Sequence, residues 1–296
     1  MEEGNPVMFS IFIQLIVNGI AAGGIYALAA SGLTLITGVL NLINFAHGEL
    51  YMLGAYFALS AFVGMNFGFW SSLFASMIGV GLLAVSIERL VFRPLRYAPP
   101  INPLLASLGV SIFLQNASLL IWKARPQRLE GVFADSIIQL GDIRISMQRL
   151  LVVIVAVSLI ILLQFIIKKT WLGFGIRAIS QDLTASSLMG VNIEKIAPAT
   201  FMLAGILAGA AGTLVGPIFI LQPTMGALVG LKAFVLVIVG GAGNVAGATI
   251  AGVILGIVEN LMDGFVSSKY KDVIAFLVLI FVLFVKREGL AGRDVS

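Results

Sequence analysis

Cysteine is absent from the 296 residues and histidine occurs once, at His47. The first absence removes disulfide frameworks, thiolate metal sites and Cys nucleophiles. The second leaves a His-based metal site or a Ser-His-Asp triad without partners. Charge is scarce as well, with Asp, Glu, Lys and Arg making up 11% of the chain. No paired-aspartate protease site can be drawn, because Asp263 and Asp272 fall at the ends of apolar runs while Asp135, Asp142, Asp182 and Asp294 fall in polar connections. A phosphate cradle is missing too: the nearest approach, GALVGLKA at Gly226 to Ala233, lacks the Gly-Lys-Ser/Thr ending. Metal, cofactor and enzyme chemistry are therefore not expected of this chain.

What is present is apolar. Hydrophobic residues fill 59% of the positions and the mean hydropathy is +1.08, a balance that leaves too little polar surface for a water-soluble domain of this length. Most side chains are expected to meet lipid. Glycine, at 33 residues against 9 prolines, fits the same solvent, since small residues let membrane helices approach closely. The net charge of +4 does not point to nucleic acid, because the basic residues sit in short clusters between apolar runs, where they act as topology signals. The start, MEEGNPVMFS, carries Glu2 and Glu3 and no basic n-region, so the first apolar run is expected to stay in the membrane.

A spanning helix needs about 20 apolar residues. Runs of that kind lie near 11–36, 49–66, 70–88, 102–122, 150–167, 197–220, 232–262 and 272–286. Two are interrupted by polar or glycine-rich stretches, LNLINFAHGE after Val39 and VGGAGNVAG after Ile238. Each interruption follows a short apolar run (Leu33 to Val39; Phe234 to Val239) and precedes a longer one, a weak internal repeat. Two readings stand: paired broken or re-entrant segments beside a solute route, or ordinary loops between helices. The clusters Arg89, Arg93, Arg96, then Lys168, Lys169, Arg177, Lys195, and finally Lys286, Arg287, Arg293 belong in the cytoplasm by the positive-inside rule. Placing them all there requires 232–262 to cross twice, as a short segment and a full helix joined at Gly240 to Gly243. The expected fold is thus an all-α polytopic transmembrane bundle of about 8–10 crossings with two broken or re-entrant segments. The segment 123–149, with Lys123, Arg125, Arg128, Arg144 and Arg149, goes against the rule and is expected to be a small folded external loop. Trp70, Trp122 and Trp171 fall at span ends, as interfacial indoles do.

In the first interruption Asn44, His47 and Glu49 are polar groups among apolar neighbours. They line the solute route, or else Asn44 and His47 bond free backbone groups while Glu49 caps the next helix. Gly240, Gly241, Gly243 and Asn244 make up the second interruption. Glu259 and Asn260 are open to the same two readings. The segment 168–196 has the pattern of a short cytoplasmic helix started by Asp182 and stopped at Gly190 and Asn192, an element suited to docking on an energy-supplying partner.

GIYALAASGLTLITGVLNLINFAHGELYMLGAYFA, from Gly24 to Ala58, resembles the signature region of inner-membrane permeases of branched-chain amino acid ABC importers, with INFAHGE at Ile43 to Glu49 its most specific part. The similarity continues through Arg177 to Pro217, Val237 to Glu259 and Tyr270 to Gly292, in order, and is to the shorter of the two permeases of such systems. It implies a single transmembrane ABC permease domain over 1–296 in the cytoplasmic membrane of a prokaryote. It also implies a second related permease, two cytoplasmic ATP-binding subunits and an extracytoplasmic solute-binding protein. Leucine, isoleucine and valine are the implied cargo; urea, short-chain amides and other amino acids are carried by similar permeases, and a stand-alone secondary transporter is the reading from a different class. The resemblance places the coupling loop at 168–196, with Arg177, Asp182, Ala185, Ser186 and Gly190 in it. Against the general importer pattern EAA-x3-G the sequence reads TASSLMG at Thr184 to Gly190, so the acidic first residue is missing and the glycine is present.

Overall fold

Asparagine and glycine, more than proline, end the helices of this chain. The computed structural model describes residues 6–133, 136–140 and 143–267, together with 273, 276, 277, 280 and 284. The first helix, α1 (Pro6–Leu40), runs 35 residues without a break and stops where Asn41 takes a left-handed conformation, φ 52°, a conformation Asn tolerates better than most residues. The chain then runs non-helically to α2 (His47–Gly64), whose end is followed by a left-handed Asn66. Next come α3 (Phe69–Ile87), closed by a π-helical turn at Glu88–Phe92, and α4 (Ile101–Trp122). After a short antiparallel hairpin, β1 (Ile137–Leu140) and β2 (Ile143–Ser146), the chain enters α5 (Met147–Lys169). Two short helices, α6 (Trp171–Ile179) and α7 (Leu183–Leu188), lead to α8 (Ile193–Val215), α9 (Met225–Gly240) and α10 (Val245–Phe265). Six of these helices are long and apolar enough to cross a membrane, and the protein is an all-α polytopic bundle.

Two groups of close-packed helices make its core. In the first, α1 and α10 lie antiparallel with backbone against backbone: a Cβ on Gly252 would come 2.8 Å from the Cα of Ala27, and one on Gly256 would collide with Gly23. Lipid tails are as apolar as the helix faces, so no hydrophobic gain draws such helices together, and close van der Waals approach at small residues does so instead. In the second group α8 is wedged between α2 and α3 and is the most enclosed of the spans. At that junction the Ser76 hydroxyl donates to the carbonyl of Gly54 at 2.7 Å and Thr213 Oγ1 donates to that of Gly209 at 2.9 Å, which keeps both hydroxyls partnered away from water. The outer helices α4 and α5 leave most of their surface uncovered, with Phe113, Leu120, Ile161 and Phe165 exposed.

Side assignment follows from contacts between distant segments. Arg93 and Arg96, after the π turn, both pair with Glu194 at the start of α8, at 2.5 and 3.0 Å, while Arg96 also holds the buried Glu88 at 2.7 Å. Ile176, Ile179 and Ile196 pack on Val39 beside them. The basic clusters at 89–96 and 168–196 therefore share one end with the C-terminus of α1, and the positive-inside rule makes that end cytoplasmic. At the opposite end Gln127 bridges Leu221, which puts 123–149 outside, where it was expected. Its two strands were not foreseen; the β-branched isoleucines of IIQL and IRIS, with Gly-Asp between them in sequence, are the pattern that encodes them.

One expectation is corrected. The two interruptions do not follow matching short runs, because Leu33 to Val39 is the last part of a continuous 35-residue helix, whereas Phe234 to Val239 belongs to the 16-residue α9. No proline or left-handed residue interrupts α1, and its glycines take ordinary helical angles, with Gly19 and Gly23 packing against α10. The stretch 232–262 divides as expected, into a short helix and a full one. The expected last span, 272–286, and the basic residues Lys286, Arg287 and Arg293 lie outside the described residues apart from the isolated positions above.

The α1–α10 contact is open to a direct test. Gly256→Leu is expected to destabilise the purified protein in detergent by about 1–3 kcal/mol through overpacking, read as an earlier thermal unfolding transition. Gly109→Ala on α4, where an added carbon meets nothing, should leave that transition in place.

Candidate translocation site

The start of α2 lies well inside the membrane. The His47 ring sits against α1 at the level of Gly32, and its Nε2 is 3.0 Å from the carbonyl oxygen of Ala29. A carbonyl only accepts, so Nε2 carries the proton in this contact. Ala29 is eleven residues before the end of α1, about 17 Å of helix rise. Residues 41–46 cover that return without helix, since six extended residues reach about 20 Å. Such backbone is tolerated at depth only where protein satisfies it. Here the Ala46 N–H donates to Asn44 Oδ1 at 3.0 Å, the His47 N–H donates to the Asn44 carbonyl at 3.3 Å, and the Phe45 N–H donates to Ser107 Oγ of α4 at 3.2 Å. Asn44 thus bonds a free backbone N–H as one sequence reading had it, whereas the His47 ring bonds a carbonyl inside the unbroken α1.

Glu49 does not cap α2 by a side-chain hydrogen bond; Ala46 stands at the cap position and offers none. The carboxylate turns instead toward α4 and α9. Its Oε1 accepts from Ser111 Oγ at 3.2 Å, and its Oε2 has no hydrogen-bond partner among the described residues although Glu49 is only 1% exposed. Oε2 lies beside Gly226, where a Cβ would come 2.5 Å from it. Gly48 meets the first two turns of α9 at Gly226 and Gly230, again without room for a side chain. The N-terminal turns of α2 and α9 therefore touch at the level of Glu49.

The second interruption is a different place. Gly241 and Gly243 take φ of 88° and 80°, and the Asn244 Oδ1 caps α10 by accepting from the Gly247 N–H at 3.0 Å. Gly240 packs on Ala248, and Gly243 packs on Gly38 near the cytoplasmic end of α1. Asn44, His47 and Glu49 are thus brought together deep in the bundle, and Gly240, Gly241, Gly243 and Asn244 are brought together nearer the cytoplasm. Helix α9 joins the two clusters, beginning against Gly48 and ending close to Gly38.

Glu259 was singled out in the sequence, but its partners Lys232 and Tyr26 were not. Lys232 of α9 and Glu259 of α10 form an ion pair at 2.8 Å, with side chains 7% and 0% exposed, and Tyr26 of α1 donates its hydroxyl to Glu259 Oε2 at 2.9 Å. Lys232 Nζ also lies 5.2 Å from the Tyr26 ring centroid. The available signal was a lone lysine in an apolar helix followed, one helix later, by a lone glutamate. Opposite charges at membrane depth find one another because neither is stable there alone.

In 168–196 the structure has two helices where one was expected. Thr170 caps α6, which lays Ile176 and Ile179 on the bundle, while Trp171 stays exposed and stacks on Phe174. Arg177 donates to the Ile167 carbonyl near the end of α5. Asp182 caps α7 by accepting from the Ala185 N–H at 2.8 Å; Ser186 faces inward, while Ala185, Leu188 and Met189 are exposed. Gly190, at φ 88°, ends α7 as anticipated.

Removing one partner of the buried pair should be worse than removing both. Lys232→Met is expected to cost about 3–5 kcal/mol by leaving Glu259 unpaired, and adding Glu259→Leu should recover much of it. Thermal unfolding of the single and double variants in detergent checks the order.

The chain matches, over residues 15–283, the family described as the permease component of the branched-chain amino acid transport system. A high-affinity branched-chain amino acid transport system permease protein of Pseudomonas aeruginosa, BraD, is 36% identical over 95% of this chain and 96% of its own length. The protein of the same description from Escherichia coli K12, LivH, is 35% identical over 96% of this chain and 97% of its own length. A ribose import permease protein of Haemophilus influenzae is 33% identical over 40% of this chain and 39% of its own length. No solved structure matches the chain. With the match covering nearly the whole bundle, the interrupted helix start and the glycine-lined turn included, the chain belongs to the family of branched-chain amino acid transport permeases.

Proposed function

We propose that this protein is a permease subunit of an ATP-binding cassette importer that brings leucine, isoleucine and valine across the cytoplasmic membrane of a prokaryote. The observation that carries this reading is the full-length similarity to relatives named as high-affinity branched-chain amino acid permeases. ATP is hydrolysed by two cytoplasmic subunits, a second related permease completes the pore, and an extracytoplasmic binding protein delivers the cargo. Transport switches the pore between outward and inward access, two states biased by partners on the two sides.

In this scheme Asn44, His47 and Glu49 brace and line the route where α2 begins, and Gly240, Gly241, Gly243 and Asn244 form its second constriction. The segment with Arg177, Asp182, Ala185, Ser186 and Gly190 couples the pore to the ATPase. Two features support that last role. Leu188 and Met189 are 84% and 85% exposed, an apolar tip at a cytoplasmic turn that suits a partner groove. Glu194, four residues beyond Gly190, is clamped by Arg93 and Arg96, so a push on α7 reaches α8 and the end of α3 together.

Cargo is tested by reconstituting the chain with its partner subunits in vesicles and following ATP-dependent uptake of radiolabelled leucine, which is expected only when all subunits are present. Uptake by this chain alone would instead support a stand-alone carrier. Gly190→Leu places a branched side chain at a left-handed position, a strain of about 1–3 kcal/mol at the stop of α7. It is expected to abolish uptake while the protein still assembles in the membrane, and normal uptake by the variant would remove the coupling role.

A further inference from the structure

An amino acid crossing the membrane carries an ammonium and a carboxylate, and each needs a counter-charge or hydrogen-bond partners once water is left behind. Among the described residues three glutamates are buried in the bundle: Glu49, Glu88 and Glu259. Glu88 is held by Arg96 and Glu259 by Lys232. Among the described residues Glu49 has no ion pair, and its single hydrogen bond, from Ser111, uses one oxygen only. Its Oε2 is enclosed, without a partner, and directed at the first turn of α9.

The start of α9, at Met225, lies at that oxygen and has no side-chain cap, whereas the N–H groups at the start of α2 are taken up by Asn44 and Ala46. Uncapped helix starts expose backbone N–H groups and the positive end of the helix dipole. The carboxylate of Glu49 is favoured by that field, and so is a carboxylate brought by a ligand. Gly48, Gly226 and Gly230 bring the two backbones into contact, so that Glu49 Oε2 is held against the first turn of α9. One acidic oxygen without a partner among the described residues, beside an uncapped helix start, is a matched pair of sites for a zwitterion.

Resting on the reading of this chain as an amino acid permease, we infer that Glu49 is the counter-charge for the ammonium group of the cargo, with the start of α9 facing its carboxylate. Ser111 holds the other carboxylate oxygen and orients the group. The aliphatic side chain of the cargo makes no contribution to this recognition, which makes the junction a site for α-amino acids as a class.

The test uses the assembled importer in vesicles, with its binding protein saturated by leucine, and follows leucine import normalised to assembled complex. Glu49→Gln keeps the volume and an oxygen for Ser111 but removes the charge, and is expected to lower import at least about tenfold, the worth of one charge-assisted hydrogen bond. Glu49→Asp keeps the charge and should retain most of the import. Isoamylamine, which is leucine without its carboxylate, should inhibit wild-type import more strongly than isocaproate, which is leucine without its ammonium; this comparison needs no variant to fold. Import by Glu49→Gln equal to wild type, equal losses in the Gln and Asp variants, or inhibition by isoamylamine no stronger than by isocaproate would each overturn the assignment. A wild-type complex that imports no leucine would count against the proposed function instead.

Discussion

The bundle depends on backbone meeting backbone at residues without side chains. Between α1 and α10, between α8 and its neighbours α2 and α3, and between the starts of α2 and α9, a single added carbon would fall within about van der Waals overlap of another main chain. Lipid supplies no hydrophobic drive for these contacts, so close dispersion contact between small residues has to hold them. This explains why a chain with 33 glycines still forms helices of 20 and more residues. Glycine weakens an isolated helix, but here the lost propensity is offset by proximity that no larger residue allows.

Close packing also permits the irregular backbone at residues 41–46. Non-helical chain at membrane depth survives because Asn44 and Ser107 take up its free N–H groups and the His47 ring anchors the restart of helix on α1. The two buried ion pairs obey the same demand: Arg96 answers Glu88 at the cytoplasmic end and Lys232 answers Glu259 in the interior. Among the described glutamates buried in the bundle, Glu49 is the one without an ion pair, and its enclosed Oε2 lies at the start of α9. A buried carboxylate without a counter-charge marks a place where the fold gives up local satisfaction, and such places are characteristic of functional sites.

At the cytoplasmic end the chain joins its surface helices to its spans by charge. Glu194 begins the central helix α8 and is gripped by two arginines that follow α3, while α6 lies on the ends of α1 and α8 through isoleucines. The π turn at Glu88–Phe92 lies directly beneath this clamp. Such turns interrupt the regular helix ladder and often sit at functional positions. The arrangement ties the exposed tip at Leu188 and Met189 to the two helices that enclose the core.

Composition and hydropathy alone determined that this protein lives in lipid, where its spans lie, that 232–262 divides, and which end faces the cytoplasm. Those properties follow from summed transfer preferences and from charge placement, both of which are local in sequence. The motif INFAHGE pointed to the family, and Asp182 and Gly190 were legible as a helix start and a stop because capping chemistry acts over three or four residues. Tertiary structure decided the rest. Helix α1 runs unbroken to Leu40. That α2 starts at the level of Ala29, that Lys232 finds Glu259 and Tyr26, and that Glu49 faces Gly226 are contacts between residues 18 to 233 positions apart. Their physical cause is the approach of particular helix faces, and a linear sequence does not contain the geometry of that approach.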